Sequence, residues 1–294
     1  MTQIAIISGA GRLPAALAAA LDTPLICALD GFPPEGLTPD LVFRVERLVP
    51  FLHELSDRGV ARVIFAGAVS RPRLDPSLFD MGTAQMVPRL LAAMQGGDDA
   101  TLRAVIGIFE EAGFEVVGVP DVAPGLFLAP GVYGVTLSGA EGGESVSAVT
   151  LSGSEGGETV SGVTVSEADR ADAARAAAIV AALGAVDVGQ GAVVAQGLCL
   201  AVETLPGTDQ MLDFVAKTAR RPNPAGARGV FYKSAKPGQD RRMDLPTIGL
   251  ETLTRAHAAG LAGIAFPASD VIVLDMKNVL QQAEKLGLFL WAQP

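Results

Sequence analysis

Apolar residues run along this chain in short blocks whose spacing alternates between strand-like and helix-like periods. Ile4-Ala5-Ile6-Ile7 predicts a buried strand over 3–8, Gly9-Ala10-Gly11 a tight turn, and the Ala/Leu block over 13–21 a helix with Pro14 in its first turn. The alternation continues with a strand over 25–29, a helix over 50–58, a strand over 62–66, a helix over 98–112 and a strand over 114–119. Such alternation predicts a parallel sheet flanked by helices, with ligands at the carboxyl ends of its strands.

The pattern breaks at Val135. Residues 135–148 read VTLSGAEGGESVSA and residues 149–162 read VTLSGSEGGETVSG, a tandem duplication rich in Gly, Ser and Glu and without aromatic anchors. Two copies are too few for a self-supporting solenoid, so the stretch is expected to be an acidic insertion between domains. Beyond it, Ser166-Glu167-Ala168-Asp169 has the form of a capping box ahead of an Ala-rich helix reaching residue 183. A hairpin about Gln196-Gly197 (191–203), a helix (209–218) and a strand (229–233) come next. The tail reads as a helix (250–259), strands (263–266 and 271–274), a helix (277–286) and a last strand (288–291). The expected organisation is therefore two α/β domains: a Rossmann-like domain with a parallel sheet (1–132), the duplicated insertion and linker (133–165), and a smaller mixed α/β domain (166–294). A length of 294 residues agrees with two domains of roughly 120 to 130 residues each.

Composition narrows the chemistry. A net charge of −10 argues against nucleic-acid partners and against electrostatic docking on an acidic membrane. No apolar run is long enough for a membrane span, and the start lacks the basic head of a secretory signal, so the cytoplasm is the expected compartment. Cys27 and Cys199 both sit in apolar runs and are expected to be buried free thiols. Two cysteines and two histidines cannot build a Cys/His zinc site of the familiar paired spacing, so a metal would be held by oxygen ligands, which favours magnesium or another divalent cation.

Several segments carry candidate chemistry. Gly9, Gly11 and Leu13 form a glycine turn at a helix start, where a backbone can approach a phosphate; Pro14 stands where the dinucleotide fingerprint needs its third glycine. Ser70 and Arg71, just past a predicted strand, suit an anionic ligand. Asp98 and Asp99 open a helix, and capping needs only one of them. The densest signal lies in the second half: Asp187 to Gly191, Glu203, Pro206 to Asp209, Lys233 to Asp240, and Arg241 to Gly249. Leu245 and Ile248 interleave with the polar groups of the last stretch, as in a rigid site-building loop. His53 and His257 fall in helical patterns and are poor candidates.

These segments, in this order, resemble the LpxI-type UDP-2,3-diacylglucosamine pyrophosphatases of lipid A biosynthesis. The resemblance rests on the turn ending Leu13-Pro14, Gly67 with Val69-Ser70-Arg71-Pro72, Gly97-Asp98-Asp99-Ala100, Asp187-Val188-Gly189-Gln190, Ala201-Val202-Glu203, Gly207-Thr208-Asp209, Lys236-Pro237, Gln239 and Asp244-Leu245-Pro246-Thr247-Ile248-Gly249. It covers the chain apart from the duplicated insert. It implies two α/β domains enclosing a chamber for the acyl-glucosamine, and magnesium-assisted hydrolysis to UMP and 2,3-diacylglucosamine 1-phosphate, with water attacking the phosphorus nearer the sugar. The catalytic residues it points to are Asp244, Lys236, Glu203 and Gln239, with Asp244 either a metal ligand or the base. Substrate binding falls to Gly9, Gly11, Leu13, Ser70, Arg71, Gln190, Thr208 and Thr247, and metal binding to Asp244, Asp98, Asp99 and Asp209.

The chain departs from the commoner family pattern at Pro206, where an acidic residue usually precedes Gly-Thr-Asp, and in its insert. The expected partner is the UDP-linked diacylated glucosamine, with transient contact at the inner-membrane surface and a homodimer as further expectations. Two other readings stand beside this one: a dinucleotide-dependent oxidoreductase, suggested by the first strand, turn and helix, and a non-catalytic nucleotide-sugar binding protein. The insert's composition generates a prediction. Deleting residues 135–162 leaves turnover of the UDP-lipid within about threefold of the parent, and collapse of activity in a folded deletion variant would contradict it.

Overall fold

The computed structural model describes residues 3–69, 74–95, 98–134, 165–243 and 245–294, without the side chains of Asp98 and Asp99; the tandem repeat at 135–162 lies outside the described residues. The chain divides into two compact units, Met1–Gly125 with Gly238–Leu245, and Leu126–Pro237 with Pro246–Pro294.

The first unit is a parallel α/β sheet. Its elements in chain order are β1 (Gln3–Ser8), α1 (Leu13–Ala20), β2 (Leu25–Leu29), β3 (Leu41–Phe43), α2 (Leu48–Asp57), β4 (Val60–Ala66), α3 (Met81–Gln95), α4 (Asp98–Glu111), β5 (Glu115–Val116) and α5 (Val119–Val122). The five strands lie in the order β3-β2-β1-β4-β5, all parallel. The order reverses between β1 and β4, the place where open parallel sheets offer a crevice at their carboxyl ends. β2 is buried at every position, as expected of a strand covered on both faces. Phe109 of α4 anchors the core, edge-on to Phe65 at a centroid distance of 5.0 Å and to Phe51 at 6.5 Å. Burying each such ring contributes about 1.5–3 kcal/mol.

In this unit β3, α3 and α5 are elements that the hydrophobic pattern does not predict, and the last strand is shorter than expected. The strand expected over 114–119 stops at Val116, because Pro120 and the Gly118 N–H, which donates to Asp121 at 3.0 Å, start α5. Helix α3 was not anticipated, since Gly82 and Pro88 both weaken a helical pattern. Tertiary contact supplies what propensity lacks: buried Thr83 donates to Asp80 at 2.6 Å and accepts from the Val49 N–H of α2 at 2.9 Å.

The second unit holds β6 (Gly131–Gly134), α6 (Glu167–Gly184), β7 (Gly191–Ala195), β8 (Leu198–Val202), α7 (Gly207–Thr218), β9 (Val230–Lys233), β10 (Thr247–Ile248), α8 (Leu250–Ala258), β11 (Gly263–Pro267), β12 (Ile272–Val273), α9 (Met276–Leu286) and β13 (Phe289–Gln293). Six strands form a mixed sheet in the order β6-β13-β11-β9-β7-β8, and β10 pairs with β12 separately. β9, β11 and β13 are parallel, β7 and β6 run antiparallel to them on either side, and β8 turns back antiparallel to β7. At the hairpin turn Gln196 (φ +53°) and Gly197 (φ +76°) are both left-handed, the pairing that suits the strands' twist. The buried Asp172 carboxylate of α6 accepts from both turn N–H groups, at 2.9 and 2.7 Å. Ser166 caps α6 by accepting from the Asp169 N–H at 3.1 Å, as the capping box predicts. Cys199 corrects the expectation of two buried thiols: it is exposed, because β8 is an edge strand with an outward side, whereas Cys27 is buried in β2.

In the first unit the loops after β1 and β4 touch backbone to backbone. The Ala10 N–H donates to the Ala68 carbonyl at 2.9 Å and the Ala68 N–H to the Ala10 carbonyl at 2.8 Å. A Cβ at Gly9 would lie 2.5 Å from the Ala68 oxygen, and one at Gly67 (φ +95°) 2.7 Å from the Ala10 oxygen. Gly9→Ala is therefore expected to destabilise the protein by about 1–3 kcal/mol. Gly125→Ala, where nothing lies within 4 Å of the added carbon, should stay within about 0.5 kcal/mol. Denaturant unfolding of the two variants checks the contrast, and equal stabilities would contradict it.

Candidate active site

The second unit gathers a carboxylate, a hydroxyl and an ammonium group where β8, β9 and α7 end or begin. Glu203 directly follows β8, Thr208 sits in the first turn of α7, and Lys233 is the last residue of β9. The Lys233 ammonium donates to Thr208 Oγ1 at 2.7 Å, and the Thr208 hydroxyl donates to Glu203 Oε2 at 2.8 Å. Two glycines make room for the acid. A Cβ at Gly191 would come within 2.8 Å of Glu203 Oε2, and one at Gly189 (φ +154°) within 2.1 Å of the Glu203 backbone oxygen.

A second pair lies nearby in the same unit. Lys236 donates to Asp187 at 2.5 Å, and the Ser234 N–H donates to the Gln190 carbonyl at 3.0 Å. Asp187 is left-handed (φ +61°), and a Cβ at Gly184 would meet Pro237 at 2.8 Å. The loop after α6 and the loop after β9 are thus joined by an ion pair, a backbone bond and a close glycine contact. Thr247 lies in β10, opposite Ile272.

The segment Gly238–Leu245, which contains Gln239 and Asp244, belongs with the first unit. Gln239 is half-buried there, and Asp244 lies outside the described residues. Arg242 grips Asp240 with Nε to Oδ1 at 2.9 Å and Nη2 to Oδ2 at 2.7 Å, and its Nη1 reaches Glu110 of α4 at 2.7 Å. Gly9, Gly11 and Leu13 share the β1–α1 loop, whose Gly9 and Ala10 N–H groups donate to the Ala66 and Ala68 carbonyls. Ser70 and Arg71 lie outside the described residues.

Of the four residues expected to bind metal, Asp98 and Asp99 begin α4, with side chains outside the description, as is the whole of Asp244. Asp209, in the first turn of α7, lies 3.6 Å from Arg255 of α8. Among the described residues no three carboxylate, imidazole or thiol side chains are placed so that together they could hold a metal ion. The described donors alone therefore do not compose a cation cage. Burial pushes the Cys27 thiol up to about 12, which suits a packing residue, and His257 Nδ1 lies 3.1 Å from the Leu286 carbonyl at a helix end.

Glu203 and Thr208, both marked as site residues by the motifs, are joined in the structure, whereas Gly191 and Lys233 fall within the polar segments marked in the sequence but carry no role there. The signal for Lys233 was a charge closing the apolar run Val230-Phe231-Tyr232. It identifies a lysine at the end of a central strand but not what that lysine meets.

Fold and site together define a two-unit α/β protein with polar groups gathered at strand ends. The family model described as the LpxI N-terminal domain matches residues 3–126, and that described as the LpxI C-terminal domain matches residues 157–291. The UDP-2,3-diacylglucosamine pyrophosphatase LpxI of Caulobacter vibrioides is 34% identical over 298 aligned residues, which span 99% of this chain and 97% of that protein. The chain belongs to the LpxI family.

The Asp240 clamp generates a pH prediction. Hydrogen bonds from the Arg242 side chain hold the Asp240 carboxyl below the usual carboxylate range, against the opposing effect of burial. A depressed folded value means the stabilisation is complete above the unfolded value of about 4 and is lost as pH falls through the folded one. Because Arg242 is 38% exposed, solvent screening limits the contribution to about 0.5–1 kcal/mol. Asp240→Asn should be less stable than the parent at pH 7 by that amount, with the difference vanishing in acid. Unfolding curves across pH 2.5–7 check this, and a pH-independent difference would contradict it.

Proposed function

We propose that the protein hydrolyses the diphosphate of UDP-2,3-diacylglucosamine to UMP and 2,3-diacylglucosamine 1-phosphate, a step of lipid A biosynthesis. The observation that carries this reading is end-to-end similarity to the Caulobacter pyrophosphatase, 34% identity across 99% of the chain, with both domain models of the family matched. The Gly-Thr-Asp segment and the Asp244-Leu-Pro-Thr-Ile-Gly segment support the same chemistry.

In this reading a water oxygen forms a bond to the phosphorus nearer the sugar, the bridging P–O bond breaks, and its electron pair leaves on the phosphate of UMP. Glu203 accepts the proton released by the water. Lys236 and Arg71 stabilise negative charge on the departing UMP. A divalent cation, magnesium or another, would be held by Asp244 with Asp98 and Asp99, and when bound it would neutralise the diphosphate. No helix among the described residues is long and apolar enough to cross a membrane, and the proposed place of work is the cytoplasmic side of the inner membrane, touched transiently to collect a lipid substrate.

The deciding experiment is release of UMP from the UDP-lipid in oxygen-18 water, with magnesium and with chelator. The label is expected in the sugar phosphate, and activity is expected to fall with chelation. Asp244→Asn should lose at least about 100-fold in kcat while keeping substrate affinity within a few-fold. No UMP release by the parent would refute the reading, whereas an Asp244→Asn variant with full kcat would refute the role given to that aspartate.

A further inference from the structure

Lys233 is 7% exposed although it carries an ammonium group at the end of a strand in the middle of a sheet. A buried charge is tolerated only where acceptors meet it, and Thr208 Oγ1 at 2.7 Å is one of them. A lysine ammonium can only donate and an ionised carboxylate can only accept, so the single hydroxyl proton of Thr208 has one direction to point. It points to Glu203 Oε2, 2.8 Å away. That bond engages Oε2 and holds the plane of the Glu203 carboxylate in one orientation.

The surroundings are built for this placement. Gly191 stands opposite Lys233 in the β7–β9 ladder, where a Cβ would press on both Glu203 Oε2 and the Phe231 ring at 2.8 Å. Gly189 excludes a side chain from the Glu203 backbone in the same way. An acid that merely capped α7 would need neither two vacant glycine positions nor a buried lysine behind its hydroxyl partner.

We propose that Lys233 is a positioning residue that acts through Thr208 to fix the Glu203 carboxylate in one orientation, and that Thr208 serves this relay rather than the substrate. The inference rests on the pyrophosphatase reading above and adds a role that the motifs by themselves do not assign.

The test measures UMP release from UDP-2,3-diacylglucosamine by the full-length parent, Lys233→Met, Thr208→Val, Thr208→Ser and the Lys233→Met/Thr208→Val double variant, each checked for folding by thermal unfolding. Lys233→Met and Thr208→Val are each expected to lose about 10- to 100-fold in kcat with KM within about threefold, because the loss falls on orientation and not on binding. Thr208→Ser, which keeps the hydroxyl, should stay within about threefold of the parent, and the double variant should be no worse than the poorer single because the two groups act in series. If Lys233→Met does not fold, Thr208→Val against Thr208→Ser carries the comparison. A folded Lys233→Met or Thr208→Val within twofold of the parent, a loss confined to KM, or a double variant showing the product of both losses would overturn the inference while leaving the pyrophosphatase reading intact. A parent that releases no UMP would overturn both.

Discussion

An ammonium group carried into the interior of a protein must find oxygen there, and at Lys233 that demand organises one end of the second sheet. Three elements that are distant in sequence answer it. β9 delivers the lysine, α7 presents Thr208 from its first turn, and the end of β8 brings Glu203 to the far side of that hydroxyl. The hairpin makes the meeting geometrically available, because β7 runs antiparallel to both β8 and β9 and so places Gly191 beside Lys233. Where every other position of β7 carries a packed side chain, Gly191 yields its volume to a carboxylate oxygen and a phenylalanine ring.

The first unit uses missing side chains for a different end. Gly9 and Gly67 let two loops at neighbouring strand ends exchange backbone hydrogen bonds at the point where the strand order reverses. Those bonds join the two loops, and Pro14 stands where the dinucleotide fingerprint needs its third glycine. The glycine turn therefore ties the ends of β1 and β4 together.

Charge pairs set the finer arrangement within each unit. Asp187 meets Lys236 where the chain leaves the second unit for the segment Gly238–Leu245, and the Asp240–Arg242–Glu110 cluster ties that segment to α4 of the first. Asp209, expected from the motif as a cation ligand, stands within 3.6 Å of Arg255, in a group with Asp213 and Glu251 that links α7 to α8. A carboxylate's neighbours along the chain could not have shown this, since Arg255 lies far on in the sequence.

Local rules were enough for most of the architecture. The hydrophobic period marked β1, β2, α6 and the tail from α8 onward, the capping box marked the start of α6, and Gln196-Gly197 marked the hairpin, because each depends on residues within a turn or two of one another. The motifs also brought Glu203, Thr208 and Asp244 forward as a set. Long-range contact decided the rest: α3 in spite of its proline, the shortening of β5, the exposure of Cys199 on an edge strand, and Lys233 as the residue behind Thr208. Each of these depends on which strand lies beside which, and strand order arises from packing the whole chain, so no window of neighbouring residues contains it.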